Sequence, residues 1–468
     1  MSKLTLFYFL GFAAIIAGAW LLARRFGQRS VSNQDVQQRV IPRDQHNISR
    51  KQITPNALKV LYRLQDAGFQ AYIVGGGVRD LLLGLRPKDF DVATDALPEQ
   101  VHKLFRNSRL IGRRFKLVHV HFGREIIEVA TFRGHHDDAD EGQSAQSEQG
   151  MLLRDNVYGT LEQDMERRDF TVNALYYSAK DFCIYDNHGG MHDLQHKRLR
   201  IIGDAEARYR EDPVRMLRAV RFAAKLGFQL EQSTAAPIRQ LAPLLGSISN
   251  ARLFDEAIKL LSGGQGFATW QLMAQYDLIA PLFPATWKAL QAPTEQAQRY
   301  QRLIEQALRN TDERIAQDKP VTPAFMYAVL LWPVLEQHYQ AKLDEGWHPI
   351  PAMHEAAQQT LDAQVKHISI PRRISAVIKE IWELQWRLPR RQGRRAQQLM
   401  EHPRFRAGFD FVLLREQSGE DLEQLGQWWQ AYQDADEEGR EQLVRELGQS
   451  PAPNKSKRRR RPRQREQS

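Results

Sequence analysis

Two aspartates separated by a single residue are the first candidates for chemistry in this sequence. Asp89 and Asp91 flank Phe90 in the stretch KDFDVATD. Alternate side chains of a β-strand share one face, so both carboxylates would point the same way while Phe90 enters the core. Two carboxylates on one face repel each other unless a cation lies between them, and Mg²⁺ prefers oxygen ligands. The pair therefore predicts a divalent-metal site.

A glycine-rich turn lies shortly before the aspartate pair. The apolar run Tyr72–Val74 is typical of a strand, and it ends at three glycines that begin with Gly75 and Gly76. Glycines permit a tight turn with uncovered backbone N–H groups, as phosphate binding requires. A helix is expected over Val78–Leu83, with Arg79 in its first turn and a partial positive charge at its start. No Lys-Ser or Lys-Thr follows the glycines, which excludes a P-loop.

A third polar cluster occurs in RRDFTVNALYY, residues 167–177. Arg168 can meet a triphosphate, and Asn173 can donate to phosphate or ribose oxygens. Asp169 can hold an arginine in place or support the acidic cluster. The alternative interpretation is an Arg-Arg-Asp surface turn before a helix.

Residues 208–228 combine a helix start with a basic stripe. Asp212 followed by Pro213 is typical of a helix N-terminus. Three arginines then recur at every third residue, namely Arg215, Arg218 and Arg221. The opposite side of this helix is apolar. A stripe of this kind is either a solvated basic face or a surface that reads nucleotides.

These motifs together resemble the nucleotidyltransferase branch that contains bacterial poly(A) polymerases and tRNA CCA-adding enzymes. GGGVRDLLLG followed by KDFDVATD is similar to the head-domain signature of that branch, and the strong similarity runs from about Ile53 to Leu261. The resemblance implies two Mg²⁺ ions held by Asp89, Asp91 and Glu128, with Asp169 as a further catalytic residue. It also implies ATP as substrate and RNA 3′ ends as acceptors. In this branch, the positions of Asp212 and Arg215 select the incoming base.

Glu128 and the segment before it refine this hypothesis. A glutamate between Ile127 and Val129 is unusual in an apolar strand unless something pairs with it. The segment LIGRRFKLVHV, residues 110–120, resembles bacterial poly(A) polymerases more than CCA-adding enzymes. The resemblance therefore implies addition of AMP to RNA ends, in mRNA polyadenylation and RNA turnover. A CCA-adding enzyme and a non-catalytic, membrane-tethered RNA-binding protein are the alternatives.

The candidate residues must be positioned by helices and strands. The pattern of these elements in the sequence predicts a small mixed α/β nucleotidyltransferase head followed by all-α neck and body domains. A helix is expected over Thr54–Ala67, two strands around Gly123-Arg124, a polar loop over 134–150, and helices from Ala251 onward. The predicted boundaries are a hydrophobic segment 1–30, a linker 31–52, the head 53–203, the neck 204–265, the RNA-binding body 266–447 and a disordered arginine-rich tail 448–468.

The positive charge is concentrated at the two ends of the chain. The net charge is +10, yet residues 31–454 hold 54 basic and 55 acidic residues. The basic ends therefore predict contact with polyanions by tails rather than by a uniformly basic enzyme. A single cysteine, Cys183, excludes a disulfide framework and suits a reducing compartment.

The apolar run Leu4–Ala23 has no charge over twenty residues and is long enough to cross a bilayer. The excess of arginine after it places the rest of the chain in the cytoplasm, anchored to the inner membrane at its cytoplasmic face. A signal peptide and a downstream translation start are the alternatives. Partners in RNA-degradation machinery would fit such a location.

Arginine and aromatic residues alternate in Arg372–Arg406. Arginine can contact phosphate, and Trp382, Trp386 and Phe405 can stack on bases. The same aromatic residues can instead belong to the core of the helical body.

Overall fold

The computed structural model describes residues 39–112, 116–134, 144–146, 152–155 and 157–449. Over these residues the chain divides into two compact units, the first ending at Asp204 and the second beginning at Ala205. The first unit is a mixed-sheet head and the second is predominantly helical, which confirms the predicted fold class for this part of the chain.

The head is built on an eight-stranded sheet with the spatial order β1-β10-β9-β2-β3-β6-β5-β4. Its strands are Arg39–Ile41 (β1), Ala71–Val74 (β2), Asp91–Thr94 (β3), Ser108–Ile111 (β4), Leu117–Phe122 (β5), Glu125–Thr131 (β6), Tyr176–Tyr177 (β9) and Ile184–Asp186 (β10). Ser144–Gln146 (β7) pairs with Leu152–Asp155 (β8) in a small separate ladder. Two further short strands are Arg198–Leu199 (β11) in the head and Gln229–Leu230 (β12) in the second unit.

Five helices accompany the head sheet. They are Pro55–Asp66 (α1), Gly76–Leu82 (α2), Pro98–Leu104 (α3), Leu161–Glu166 (α4) and Gly190–Gln195 (α5). The first matches its prediction, because the Thr54 hydroxyl accepts a hydrogen bond from the Ala57 N–H and proline occupies the first position. The amphipathic pattern of α1 buries Val60, Leu61 and Leu64 completely.

One parallel strand pair in the head brings two of the candidate acidic residues opposite each other. β3 runs parallel to β6, whereas β2 and β5 pair antiparallel with β3 and β6, respectively. In the parallel pair, Asp91 lies opposite Glu128. The predicted hairpin at Gly123 is confirmed, since this glycine has φ +64° and joins β5 to β6. The sheet also contains β4, which the sequence analysis did not predict.

Three expectations about the head were wrong. Asp89 and Phe90 precede β3 rather than belonging to it, although Phe90 is buried as expected. The predicted linker 31–52 contains β1, which pairs antiparallel with β10 and so belongs to the sheet. The predicted loop 134–150 contains β7, which pairs with β8. Very short strands leave no periodicity in a sequence, so the pairings of β1 and β7 could not be predicted.

The second unit contains sixteen helices within its described residues. They are Ala205–Glu211 (α6), Val214–Leu226 (α7), Gln232–Ala235 (α8), Ile238–Leu241 (α9), Asn250–Leu261 (α10), Gly266–Gln275 (α11), Ile279–Leu282 (α12), Pro284–Leu290 (α13), Glu295–Ala316 (α14), Pro323–Asp344 (α15), Pro349–Val365 (α16), Arg372–Arg387 (α17), Arg395–Met400 (α18), Phe405–Gln417 (α19), Leu425–Asp434 (α20) and Glu437–Gln449 (α21).

The predicted boundary between neck and body at residue 265 does not separate two compact units. Helix α11 begins at Gly266, yet it packs against both α7 and α14. Because one helix contributes to both groups, neck and body share a continuous apolar interior. A second core cluster forms further along the chain from Leu384, Phe409 and Trp429, among other residues.

Two predicted segments lie outside the described residues. These are the apolar run Leu4–Ala23 and the arginine-rich tail from residue 450 onward. Among the helices that the structure does describe, none combines the length and the apolar character needed to span a bilayer.

Candidate active site

The glycine turn connects β2 to α2 and depends on one unusual backbone conformation. Gly75 has φ +68° and ψ −128°, which residues with a Cβ rarely adopt. Its N–H donates to the Leu175 carbonyl at 3.2 Å. A Cβ at this position would lie 3.2 Å from Nη1 of Arg168. The turn therefore needs glycine both for its backbone angles and for the close approach of Arg168.

Substitution of Gly75 by alanine is expected to lower the free energy of unfolding by about 1–3 kcal/mol, because the new Cβ meets a strained conformation. Chemical denaturation of the purified protein measures this change. Gly76 provides the matched control, since it lies in α2 and a Cβ there would make only an ordinary 3.5 Å contact with Arg79. Equal losses for the Gly75 and Gly76 variants would contradict the conformational argument.

Arg79, Asn173 and Asp169 form one connected network beneath the glycine turn. The Arg79 side chain is only 3% exposed, and its guanidinium donates to Asp80 Oδ1 at 2.6 and 2.8 Å. It also donates to Asn173 Oδ1 at 2.6 Å, and Asn173 Nδ2 donates to Asp169 Oδ1 at 3.1 Å. Three of the predicted site residues are thus brought together. Their bonds brace the turn from inside the head.

Arg168 lies in a second buried network that the sequence analysis missed. Its Nε donates to the Tyr176 hydroxyl at 2.5 Å and its Nη2 lies 3.4 Å from Asp164. Tyr176 in turn donates to the Asp164 carboxylate. Burial alone would raise the pKa of Asp164, but Arg167, Arg168 and the Tyr176 hydroxyl hold it well below its ordinary value. Asp164 is therefore ionised and keeps the Arg168 guanidinium in a fixed position.

The acidic residues lie at the start of the parallel strand pair. Asp91 is the first residue of β3, with Glu128 of β6 opposite it and the exposed Asp89 two residues earlier. Burial and, to a smaller extent, the neighbouring Glu128 and Asp89 raise the pKa of Asp91 to about 6, against the opposing effect of Arg168. The three carboxylates therefore act on one another electrostatically, as residues of one site.

The third carboxylate has a protein partner. Glu128 is half exposed, and its Oε1 lies 3.3 Å from Nε2 of His119, the residue opposite it on β5. Across the described residues, no three acidic, histidine or cysteine side chains already form a metal-ligand cluster. The donor chemistry nevertheless fits Mg²⁺, because Asp91 is partly desolvated and two further carboxylates, those of Asp89 and Glu128, belong to neighbouring positions. Glu128 would have to turn from His119 to join the other two.

The raised pKa of Asp91 has a consequence for stability. An acid whose pKa is higher in the folded than in the unfolded state costs stability as pH rises from about 4 to about 6, and the cost persists above that range. Asp91→Asn is therefore expected to raise the free energy of unfolding of metal-free protein at pH 7–8 by about 1–3 kcal/mol. Denaturation in the presence of a chelator measures this. A lowered stability of the variant at this pH would contradict the burial argument.

The second unit holds the predicted nucleotide-reading residues. The Asp212 carboxylate accepts from the Val214 N–H at 3.3 Å and pairs with Arg252 of α10 at 2.7 Å. Arg215 donates instead to the Arg208 carbonyl at 3.0 Å and pairs with Glu211. Arg252 lies forty residues from Asp212 in the chain, so no local sequence pattern predicts this ion pair.

Helix α7 has one apolar, buried side and one basic, partly exposed side, as predicted. Leu217 and Val220 are fully buried, whereas the three arginines, Arg215, Arg218 and Arg221, are partly exposed. The guanidinium groups of Arg218 and Arg221 lie 5.2 and 4.6 Å from the ring centre of Phe222. Their roles toward a nucleotide stay predictions.

A glycine turn beside paired aspartates in a mixed sheet, followed by a helical unit, defines a nucleotidyltransferase. Three family models match the chain: the Poly A polymerase head domain over residues 71–200, the probable RNA- and SrmB-binding site of polymerase A over 227–290, and the polymerase A arginine-rich C-terminus over 345–465. The poly(A) polymerase I of Salmonella typhimurium is 52% identical over 431 residues, which cover 91% of this chain and 92% of that protein. The chain belongs to the poly(A) polymerase I family.

The CCA-adding enzymes are more distant relatives. That of Geobacillus kaustophilus is 39% identical over 226 residues, covering 48% of this chain and 54% of that enzyme. The solved structure of the Thermotoga maritima CCA-adding enzyme complexed with tRNA-CCA has a TM-score of 0.54 and 20% identity, covering 85% of this chain and 88% of that one. This structural similarity concerns the fold alone.

Proposed function

We infer that this protein is a polynucleotide adenylyltransferase, which adds AMP from ATP to RNA 3′ ends without a template. The observation that carries this conclusion is the similarity to poly(A) polymerase I over 91% of the chain. The similarity to a CCA-adding enzyme covers only about half of the chain, 48%. The arginine-rich C-terminal match over residues 345–465 carries the same family name as the head match.

The head residues divide into a phosphate group and a carboxylate group. The backbone N–H groups at the start of α2, beginning with Gly76, and the fixed guanidinium of Arg168 would bind the triphosphate, where negative charge builds up during the reaction. Arg79, Asn173 and Asp169 hold the turn in place through their shared hydrogen bonds. This assignment gives Arg79 a positioning role, since its side chain is almost fully buried.

Asp89, Asp91 and Glu128 would hold two Mg²⁺ ions. When bound, such ions lower the pKa of an attacking hydroxyl and stabilise charge on the leaving pyrophosphate. The carboxylates would orient the RNA 3′-hydroxyl toward the α-phosphate held by the turn and Arg168. His119 would hold Glu128 in place until the nucleotide binds, because the two side chains already contact each other.

Incubation of the purified protein with a generic RNA and each single nucleoside triphosphate tests the proposed function. Long tails from ATP alone are the expected result. Short additions that require CTP would instead indicate a CCA-adding enzyme, and no incorporation of any nucleotide would indicate an RNA-binding protein without catalysis.

The two chain ends lead to separate proposals. The arginine-rich tail would raise the local concentration of RNA by phosphate contacts.

The apolar run Leu4–Ala23 would anchor the enzyme to the cytoplasmic face of the membrane, near RNA-degradation machinery. Full-length protein is then expected to pellet with membranes and to resist carbonate extraction, whereas a form lacking residues 1–30 is expected to stay in the supernatant and keep its activity. Full-length protein found wholly in the supernatant would refute the anchor.

A further inference from the structure

A cavity of about 720 Å³ lies inside the helical unit, between helices α14, α15, α17 and α19. Its volume falls within the range of roughly 300–1,000 Å³ that is typical of small-molecule sites, which suits one nucleotide. All of the lining residues belong to the second unit, and none of the carboxylates or glycine-turn residues of the head lines the cavity.

Aromatic rings form one wall of the cavity. Trp386 lies with its ring centre 5.0 Å from that of Tyr339 and 5.6 Å from that of Trp332. Trp332 is buried, and its other neighbours include the Arg415 guanidinium at 4.7 Å. Trp386 and Tyr339 are only half-buried, so part of their surface remains open to the cavity. Partly open rings of this kind are the surfaces on which nucleobases stack.

Glu336 is the one carboxylate among the residues that line the cavity. Glu336 accepts a hydrogen bond from Gln296 Nε2 at 3.1 Å, and its carboxylate lies 3.9 Å from the Arg299 guanidinium. Burial and the nearby Glu420 raise the pKa of Glu336 above its ordinary value, against the opposing effect of Arg415 and Tyr300. A carboxylate that has lost much of its hydration gains from each additional N–H donor. The site therefore suits a ligand with an amine on one edge.

The remaining charges favour a ligand with a phosphate backbone. Arg415 is already engaged by Glu420 through two hydrogen bonds of 2.5 and 2.9 Å. Arg299 and the exposed Arg390 also line the cavity, and Arg390 forms no ion pair with any residue that the structure describes. Two arginines beside aromatic rings and one carboxylate match a nucleotide, whose phosphate needs cations and whose base needs stacking.

We propose that this cavity binds one adenosine of the RNA tail that has already been synthesised, with its base against Trp386 and Tyr339 and its exocyclic amine donating to Glu336. The identity of the base rests on the proposed function, because oligo(A) is the RNA that the enzyme itself produces. Uracil carries a carbonyl oxygen where adenine carries its exocyclic amine, so the same pose would bring an acceptor against Glu336, and oligo(U) is expected to bind more weakly. The cavity would hold the growing tail between successive additions.

The test compares binding of short oligo(A) and oligo(U) with 3′-deoxy ends, which cannot be extended, to the full-length protein. Glu336→Gln keeps the shape of the side chain and removes its charge. The variant is expected to weaken oligo(A) binding about fivefold, as replacement of a charged acceptor by a neutral one predicts, with oligo(U) binding unchanged. An equal change for both RNAs, or no change for either, would overturn the proposal.

A second variant tests the stacking wall. Trp386→Ala is expected to weaken oligo(A) binding about tenfold, and Trp386→Phe is expected to restore most of that loss. Trp347→Ala is the matched control, because this tryptophan is 42% exposed in the same unit and does not line the cavity. Thermal melting shows whether each variant is folded. If Trp386→Ala does not fold, the isosteric Glu336→Gln variant decides the outcome alone.

The KM for ATP separates this site from the one that binds the incoming nucleotide, and it is expected to stay unchanged in Glu336→Gln. A raised KM for ATP with unchanged RNA binding would overturn the proposal. Failure of the proposed function would look different, since wild-type protein would then build no tail from ATP alone. The binding comparison uses RNA that cannot be extended, so it remains informative in that case.

Discussion

Replacement of Asp91 by asparagine is expected to lower kcat for AMP incorporation by about 10³-fold or more, because loss of a metal-held carboxylate removes several kcal/mol of transition-state stabilisation. Asparagine has nearly the same shape but carries no charge. Asp91 is partly desolvated and lies opposite Glu128 on the parallel strand pair. The substitution therefore changes the charge of the site with little change in its packing.

Two measurements separate a catalytic loss from a folding defect. The first is extension of a labelled RNA with ATP, and the second is chemical denaturation of the same sample. Asp91→Asn is expected to be inactive and at the same time at least as stable as the wild-type protein without metal. Inactivity together with clear destabilisation would instead indicate that Asp91 is needed for folding.

Asp95→Asn is the matched control for the same strand. Asp95 is exposed just beyond the other end of β3, and its carboxylate accepts a hydrogen bond from the Gln70 N–H at 2.8 Å. The full length of β3 therefore separates Asp95 from the position where Asp91 lies opposite Glu128. This variant is expected to keep nearly full activity. A wild-type rate in Asp91→Asn would refute the assignment of the carboxylates, whatever the control shows.

The motifs around the glycine turn could be predicted because their signals are local. Glycines that end an apolar run, a Thr-Pro helix start and a Gly-Arg hairpin each depend on neighbours within a few residues. The structure places these elements as predicted, with Gly75 at positive φ and Thr54 capping α1. The pairing of Asp91 with Glu128 joins two such local elements, and the family resemblance supplied that link.

The partners of the charged side chains could not be predicted, because they come from distant parts of the chain. Arg79 has the position of a phosphate ligand in the sequence, yet it donates to Asn173, ninety-four residues further along. No periodicity or spacing carries that information. Burial of the arginine follows from how α2 packs against the turn Thr171–Asn173, which is a property of the folded head.

The environments of Trp382 and Trp386, which lie on one helix, could not be predicted from the sequence either. Both lie on α17 and both were open to two interpretations, RNA contact or core. Trp382 is fully buried and its indole N–H donates to the Ala328 carbonyl at 3.0 Å, so it belongs to the core. Trp386 lines the cavity. A separation of four residues keeps them near one another on the helix, and only the packing of α15 and α19 distinguishes their environments.

The second large effect that we expect concerns selection of the incoming base. Asp212→Ala is expected to lower the ratio of kcat/KM for ATP over CTP by about tenfold or more, by analogy with paired base contacts worth roughly 1–3 kcal/mol. A carboxylate and an arginine together present an acceptor and a donor edge to a base. In the folded protein the Asp212 carboxylate is already fixed by Arg252 at 2.7 Å. This contact gives the carboxylate one orientation before the nucleotide binds.

The roles of Arg215 and Arg252 can be distinguished by the same ratio of kcat/KM for ATP over CTP. If Arg215 reads the base directly, Arg215→Ala lowers the preference for ATP as strongly as Asp212→Ala does. If Arg215 only braces α7 through Glu211, its loss weakens both nucleotides alike while Arg252→Ala lowers the preference. Arg210→Ala is the matched control, because Arg210 forms an exposed pair with Glu206 at 2.7 Å. An unchanged ratio in the Asp212, Arg215 and Arg252 variants would show that base selection resides in other residues.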